Sequence, residues 1–180
     1  MIKVIDNIIN KQEQENIKNF LFNQVQWSFV NDVSHKDNIH QKRPGFKVVF
    51  HQLSYSIDLL LKQTAKKVKK TNETLLEARS FLQLPLNKEY IGTGVDTPHL
   101  DRTTPHTVFL YYVTDSDGDT VIYDYKSKNE NDIPYFEDIK ELKRVKPKQG
   151  RVVIFDGLYW HTAEQPTKDI RCILNFNICK

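Results

Sequence analysis

Hydrophobic positions recur at helical spacing in two stretches of the first third of the chain, then give way to the alternation of strands. Ile17, Phe20 and Leu21 share one face of a segment that Asn7 or Asn10 is placed to cap, which predicts a helix from about Lys11 to Asn23. Ile57, Leu60, Leu61, Thr64 and Val68 form a second apolar stripe and predict a helix over about Tyr55 to Lys70. Ile2 to Ile5 reads as a short opening strand and Trp27 to Val30 as extended chain. Asn31 to Gly45 is polar, carries His35, His40 and Pro44, and shows no period. It predicts a loop of a length that is often functional, for example as a lid.

After Thr71-Asn72 the pattern is that of strands: Leu75 to Leu84, Thr107 to Thr114, Thr120 to Tyr125, Leu142 to Lys146, Arg151 to Asp156 and Ile170 to Ile178. Turn residues separate several of them, notably Asp115-Ser116-Asp117-Gly118-Asp119 and Pro147-Lys148-Gln149-Gly150. Short strands after two helices predict an α+β, mainly β fold, a sandwich or jelly roll with the N-terminal helices packed on one sheet. No repeat, low-complexity tract or linker divides the chain. One domain over 1–180 is expected, with 1–74 as helical support and 75–180 as the β core.

Composition narrows the class without changing this picture. The 180 residues include ten Phe, eight Tyr and two Trp, enough bulky material for one buried core and unlike a disordered chain. Net charge is only +3, and Lys62, Lys66, Lys67, Lys69 and Lys70 read as the solvated face of the second helix. Neither a signal peptide nor a run approaching about 18 apolar residues is present, so a soluble protein of the cytoplasm is expected, with no membrane partner. Cys172 and Cys179 lie in the final strand, seven positions apart and on opposite faces, and are expected as free thiols. The Asp115 to Asp119 cluster lacks the spacing of a calcium loop, because Gly118 falls fourth and Lys126 stands in the closing position; a tight turn is expected instead.

The candidate chemistry lies in His99-Leu100-Asp101, His161 and Arg171. In a strand His99 and Asp101 point to the same face, so they offer a nitrogen and an oxygen side by side. Alone, such a tripeptide says little. His161 follows the apolar strand Arg151 to Phe155, at the end where a third ligand would meet the first two. Two imidazoles and a carboxylate occupy one face of a ferrous ion and leave the other open. Tyr90-Ile91-Gly92-Thr93-Gly94 precedes the pair and suits a loop at a site mouth. In the last strand Arg171, Ile173, Asn175 and Asn177 share one face, and Cys172, Leu174, Phe176 and Ile178 share the apolar other. The first face is either solvated or turned into a barrel, where a guanidinium needs an anionic partner. A bound dicarboxylate would supply one.

With these residues in hand, the chain resembles the prolyl 4-hydroxylase-like branch of the Fe(II)/2-oxoglutarate-dependent oxygenases, most of all its small phage and bacterial members. The resemblance spans roughly Leu75 to Ile178. It rests on the ordered series Tyr90-x-Gly92, His99-Leu100-Asp101, Thr107 to Val113, Gly118-Asp119-Thr120-Val121, Pro147 to Arg151, Phe155-Asp156, His161 and Arg171. It implies a double-stranded β-helix (jelly roll) core, His99, Asp101 and His161 as iron ligands, and Arg171 as the 2-oxoglutarate clamp. Tyr112 and Asn175 are expected to assist at the distal carboxylate. Two departures are visible. Asp117-Gly118-Asp119-Thr120 stands where many members carry Gly-Gly, and Arg171 where collagen-type members carry Lys.

The resemblance further implies an enzyme that consumes 2-oxoglutarate and O2, releases succinate and CO2 and hydroxylates a C–H bond, with ascorbate as reductant. The carboxylate of Asp101 speaks for hydroxylation, since related halogenases carry a small residue there. A prolyl residue of a peptide is the expected substrate class, with other proteins and small molecules open. If the chain is phage-encoded, the compartment is the host cytoplasm. Two alternatives stand beside this reading. One is a nucleic-acid demethylase of the same superfamily, disfavoured because Asn177 stands where those enzymes carry a second arginine, so nucleic acid is not an expected partner. The other is a non-catalytic β-sandwich holding a structural zinc on the same ligands, which leaves Arg171 unexplained.

Overall fold

The computed structural model describes residues 2–33, 43–91, 95–129 and 139–180. Residues 34–42 of the expected loop and Gly92 to Gly94 of the expected mouth loop lie outside the described residues. The chain begins with strand β1 (Lys3–Ile5) and helix α1 (Lys11–Asn23). Of the two candidate caps Asn10 is the one used, its Oδ1 accepting from the Glu13 amide at 2.9 Å, while Asn7 takes a left-handed φ of 52°. Strands β2 (Ser28–Val30) and β3 (Gly45–Val49) follow, then helix α2 (Tyr55–Lys67). This helix stops three residues earlier than its apolar stripe suggests. Lys69 adopts φ 59°, and the amides of Val68, Lys69 and Lys70 fold back onto the carbonyls of Thr64, Lys66 and Ala65.

The remaining elements are β4 (Thr74–Gln83), a short helix α3 (Lys88–Ile91), β5 (Thr107–Tyr112), β6 (Thr120–Lys126), β7 (Glu141–Val145), β8 (Val152–Asp156), β9 (Tyr159–Ala163) and β10 (Arg171–Cys179). A seven-stranded antiparallel sheet has the order β1-β8-β5-β10-β4-β3-β2, and a three-stranded sheet the order β7-β6-β9. Isolated bridges Val95↔Glu164 and His99↔His161 lay the 95–99 segment along β9 as a further edge. The fold is thus mainly β, two facing sheets in a jelly-roll arrangement, with helices α1 and α2 on the large sheet. Three elements were not expected from the pattern: β3, α3 and β9.

The two faces of β10 separate two cores. Cys172, Leu174, Phe176 and Ile178 pack with Phe109 and Tyr111 of β5 against Ile17 and Leu21 of α1 and Ile57 and Leu60 of α2. Ile173 of the other face packs between the sheets with Val108, Leu110, Tyr112, Ile122, Val145, Val153 and Phe155. The polar residues that share its face therefore point into the barrel, not to solvent. Both cysteines are unbridged. Among the described residues no helix is long and apolar enough to cross a membrane.

Leu174 is fully buried between β10 and the helices. Leu174→Ala is expected to destabilise the domain by about 2–5 kcal/mol through lost transfer energy and the cavity left behind. Urea unfolding followed by circular dichroism checks this.

Candidate metal centre

His99 and His161 meet across the bridge between the 95–99 segment and β9, each donating its backbone N–H to the other's carbonyl, at 3.0 and 3.1 Å. Their rings lie 4.7 Å apart between centroids. Asp101, two residues on and in a bend rather than the expected strand, nonetheless turns to the same side. One donor atom from each of His99, Asp101 and His161 lies within 4.8 Å of the others, and His161 Nε2 is 3.9 Å from Asp101 Oδ1. His161, expected just beyond a strand, is inside β9. The turn at 157–158 carries the chain from β8 in the large sheet to β9 in the small one and so brings it to the pair.

Second contacts set these side chains up as ligands. Nδ1 of His99 faces the Thr97 carbonyl at 3.4 Å and Nδ1 of His161 faces the Tyr159 carbonyl at 3.1 Å. A carbonyl can only accept, so both rings carry their proton on Nδ1 and keep the Nε2 lone pair for a metal. Burial drives the His99 pKa down to about 3, with the neighbouring His161 adding to the effect, and burial also lowers that of His161. Both are neutral at pH 7. Burial alone would raise the Asp101 carboxyl, but Arg79, the two imidazoles and the Asn175 amide outweigh it and hold the group well below the usual carboxylate range. Two neutral imidazoles and one ionised carboxylate fit a divalent first-row metal such as Fe(II).

A cavity of about 220 Å³ runs from this cluster to Arg171, walled by Leu110 and Ile173. Arg171 is buried, and its three hydrogen bonds go to neutral acceptors: Nε to the Gly118 carbonyl at 2.9 Å, Nη1 to Gln83 Oε1 at 3.0 Å and Nη2 to Thr120 Oγ1 at 2.8 Å. Gly118 is required here, because a Cβ would fall 2.5 Å from the Glu164 carbonyl oxygen and 3.1 Å from Arg171 Cδ. Tyr112 lies beside the guanidinium, 6.0 Å from its ring centroid, with its hydroxyl donating weakly to the Val145 carbonyl at 3.4 Å. Burial pushes that phenol up to about 12, so it stays a donor. Asn175, expected beside Arg171, is instead four residues along the strand with Nδ2 on Asp101 Oδ2 at 2.9 Å. The alternation of β10 puts it on the right face but at the metal end.

Residues the sequence did not single out complete the surroundings. Arg79 on β4 donates to Asp101 Oδ1, and Gln83 and Thr120 hold Arg171. Behind Gln83, its amide reaches Asp96 Oδ2 at 3.4 Å, and Arg43 Nε donates to Asp96 Oδ1 at 2.9 Å. Burial lifts Asp96 to about 6 against the pull of Arg43.

The Asp115 to Asp119 turn is a tight turn that clamps the approach to β10. Asp117 accepts from the Thr167 hydroxyl and from the backbone amides of Thr167, Lys168 and Asp169. Desolvation opposes its charge, yet these four donors win and lower its pKa to about 2. The folded pKa lies below the unfolded value, so this group's contribution is complete above about pH 4 and fades as pH falls toward 2. Asp117→Asn is therefore expected to lower the melting temperature at pH 7, with the gap to wild type closing as pH falls from 4 to 2. Calorimetry across that range checks it.

No family model and no curated protein sequence matches the chain. Solved structures do. The chain superposes on the non-heme alpha-ketoglutarate-dependent epimerase SnoN from nogalamycin biosynthesis with a TM-score of 0.71 at 13% identity, covering 99% of this chain and 78% of that one. For the viral collagen prolyl hydroxylase of Paramecium bursaria Chlorella virus-1, solved with 2-oxoglutarate, the values are 0.56, 13%, 98% and 94%. For a Pseudomonas putida prolyl-4-hydroxylase they are 0.64, 12%, 99% and 92%. The fold is that of the 2-oxoglutarate-dependent oxygenases, shared by members with different reactions.

Proposed function

We propose that the chain is an Fe(II)- and 2-oxoglutarate-dependent dioxygenase that hydroxylates a C–H bond, with a peptidyl proline as substrate class. The single observation that carries this reading is the pairing of His99, Asp101 and His161 with a buried guanidinium across one cavity. A structural zinc would use the three ligands but would leave Arg171 buried against neutral groups with no anion to bind. The fold and the near-complete coverage of two compact prolyl hydroxylases support the finer reading.

His99, Asp101 and His161 would hold the iron through Nε2, a carboxylate oxygen and Nε2. Bound there with 2-oxoglutarate, Fe(II) supplies the redox chemistry that consumes O2 and the keto acid, hydroxylates the substrate and releases succinate and CO2. Arg171 binds the distal carboxylate, held for that task by Gln83, Thr120 and the Gly118 carbonyl. Tyr112 adds its hydroxyl proton as a further donor. Leu110 and Ile173 keep the stretch between the two ends dry, which strengthens both charge contacts. The Thr97 and Tyr159 carbonyls orient the two imidazoles, and Asn175 orients the carboxylate.

The test is succinate release by purified protein with Fe(II), ascorbate and 2-oxoglutarate, against proline-rich peptides, free amino acids and methylated oligonucleotides. Mass spectrometry then looks for the gain of one oxygen. Succinate with an oxidised prolyl peptide is expected. Succinate with oxidation of another substrate retains the oxygenase and removes its prolyl specificity. No succinate under any condition overturns the reading.

A further inference from the structure

Arg79 is a cavity-lining cation that the chemistry above gives no role toward substrate. It sits on β4 opposite Asn175 of β10, at the end of the cavity away from Arg171, and its side chain is only 16% exposed. Its Nη2 donates to Asp101 Oδ1, the oxygen facing His161, and its Nη1 lies 3.4 Å from Glu77, further out on the same strand face. Its Nε is buried with no acceptor among the described residues.

Two neighbours carry unused hydrogen-bonding capacity. Asn175 gives its amide nitrogen to Asp101, while its Oδ1 is buried without a donor among the described residues. Asn177, opposite Glu77, is 1% exposed, and neither its nitrogen nor its oxygen has a partner there. About nine in ten buried polar atoms are hydrogen-bonded. Arg79 and Asn175 both line the cavity, so the free Nε of one and the free Oδ1 of the other mark a place for a polar ligand, whereas Asn177 lies outside that lining.

Charge says what kind. A metal dication, the Asp101 carboxylate, the two carboxylates of 2-oxoglutarate and Arg171 together cancel, and Asp96 lies against Arg43. Arg79 is left over, offset among the described residues by the more exposed Glu77 alone, whose pairing water screens. A dication on Asp101 Oδ1 would also repel the guanidinium from that oxygen and turn it toward the cavity.

We infer that this end of the cavity is a second anion subsite, that the substrate presents a carboxylate to Arg79, and that the free Oδ1 of Asn175 beside it accepts from a substrate donor. The inference rests on the oxygenase reading and names the chemistry of its substrate. A free amino acid or an acidic side chain beside a target residue would equally supply the group.

The experiment loads the protein with Mn(II) and 2-oxoglutarate under nitrogen and follows the Mn(II) electron paramagnetic resonance spectrum. Two matched pairs are titrated: L-proline against L-prolinamide, and a terminally blocked proline-rich peptide carrying glutamate against its glutamine copy. In at least one pair the acid is expected to perturb the spectrum at a concentration about tenfold lower than its neutral partner, the order of one charge-assisted hydrogen bond. The pair that responds identifies the source of the carboxylate. The contrast is expected to vanish in Arg79→Gln and to return in part in Arg79→Lys. Equal binding of acid and neutral forms, binding of neither, or a contrast that survives Arg79→Gln overturns the inference. Binding of 2-oxoglutarate is measured first on the same protein. If it is absent, or indifferent to Arg171→Ala, the oxygenase reading itself fails.

Discussion

Arg171→Ala is expected to raise the 2-oxoglutarate concentration for half-maximal succinate release by about 10²–10³-fold, while the affinity for Mn(II) changes little. The size follows from what the guanidinium would do. Truncating one partner of a buried, hydrogen-bonded charge pair costs about 2–5 kcal/mol, and each 1.4 kcal/mol is a factor of ten. The selectivity follows from position, because Arg171 contacts Gly118, Gln83 and Thr120 and none of the three candidate ligands. Alanine also leaves the Gln83 and Thr120 oxygens without their donor in a dry pocket, so some loss of stability accompanies the loss of affinity. Arg171→Lys separates the two effects. It keeps the charge but cannot reach three acceptors at once, and is expected to fall between wild type and alanine in 2-oxoglutarate requirement. Steady-state succinate assays and Mn(II) titrations measure both quantities. An unchanged 2-oxoglutarate requirement in the alanine variant would remove Arg171 from the co-substrate site.

Strands β4, β5 and β10, which wall the site, were legible because each shows a strand-like pattern. In β10 the alternation of Arg171, Ile173, Asn175 and Asn177 with an apolar set left open whether the polar face was solvated or internal. Packing of Leu174 and Phe176 against α1 and α2 settles it, since a strand covered on one side by helices turns its other side to the facing sheet. What escaped the sequence escaped for physical reasons. β9 is five residues with polar His161 and Thr162 among them, and nothing in Tyr159–Ala163 marks a strand until β6 is there to pair with it. Arg79 and Gln83 stand in a segment correctly expected as a strand, and only pairing with β10 shows that they face Asn175 and Arg171. One signal was available: charged and amide residues at Glu77, Arg79 and Gln83 recur at every second or fourth position, as they would on a lined cavity wall. Arg43 and Asp96 meet across 53 positions of sequence, and no local pattern announces such a pair. Asn175 was placed on the right face and at the wrong end, because alternation fixes the side a residue takes and not its neighbour across the barrel.

Asp101→Ala is expected to have the largest effect of any single substitution, and to show it in two independent readouts. The first is metal affinity. Asp101 is the only anionic donor of the three, and removing a hydrogen-bonding partner of a metal ligand alone costs about 10–100-fold in affinity. Loss of the donor itself is expected to exceed about 10²-fold for Mn(II) or Fe(II), with succinate release abolished. The second readout is stability without added metal. Asp101 is the carboxylate against which Arg79 and the Asn175 amide are paired, so alanine strands a mostly buried guanidinium with, among the described residues, Glu77 as its one remaining acidic partner. Breaking such a pair from one side costs about 3 kcal/mol. The double variant Asp101→Ala/Arg79→Ala tests the cause, because removing the stranded charge is expected to recover part of the lost stability and none of the metal affinity. A single variant that binds Mn(II) like wild type would take Asp101 out of the metal centre. A double variant no more stable than Asp101→Ala alone would show that the Arg79 pairing contributes nothing to the fold.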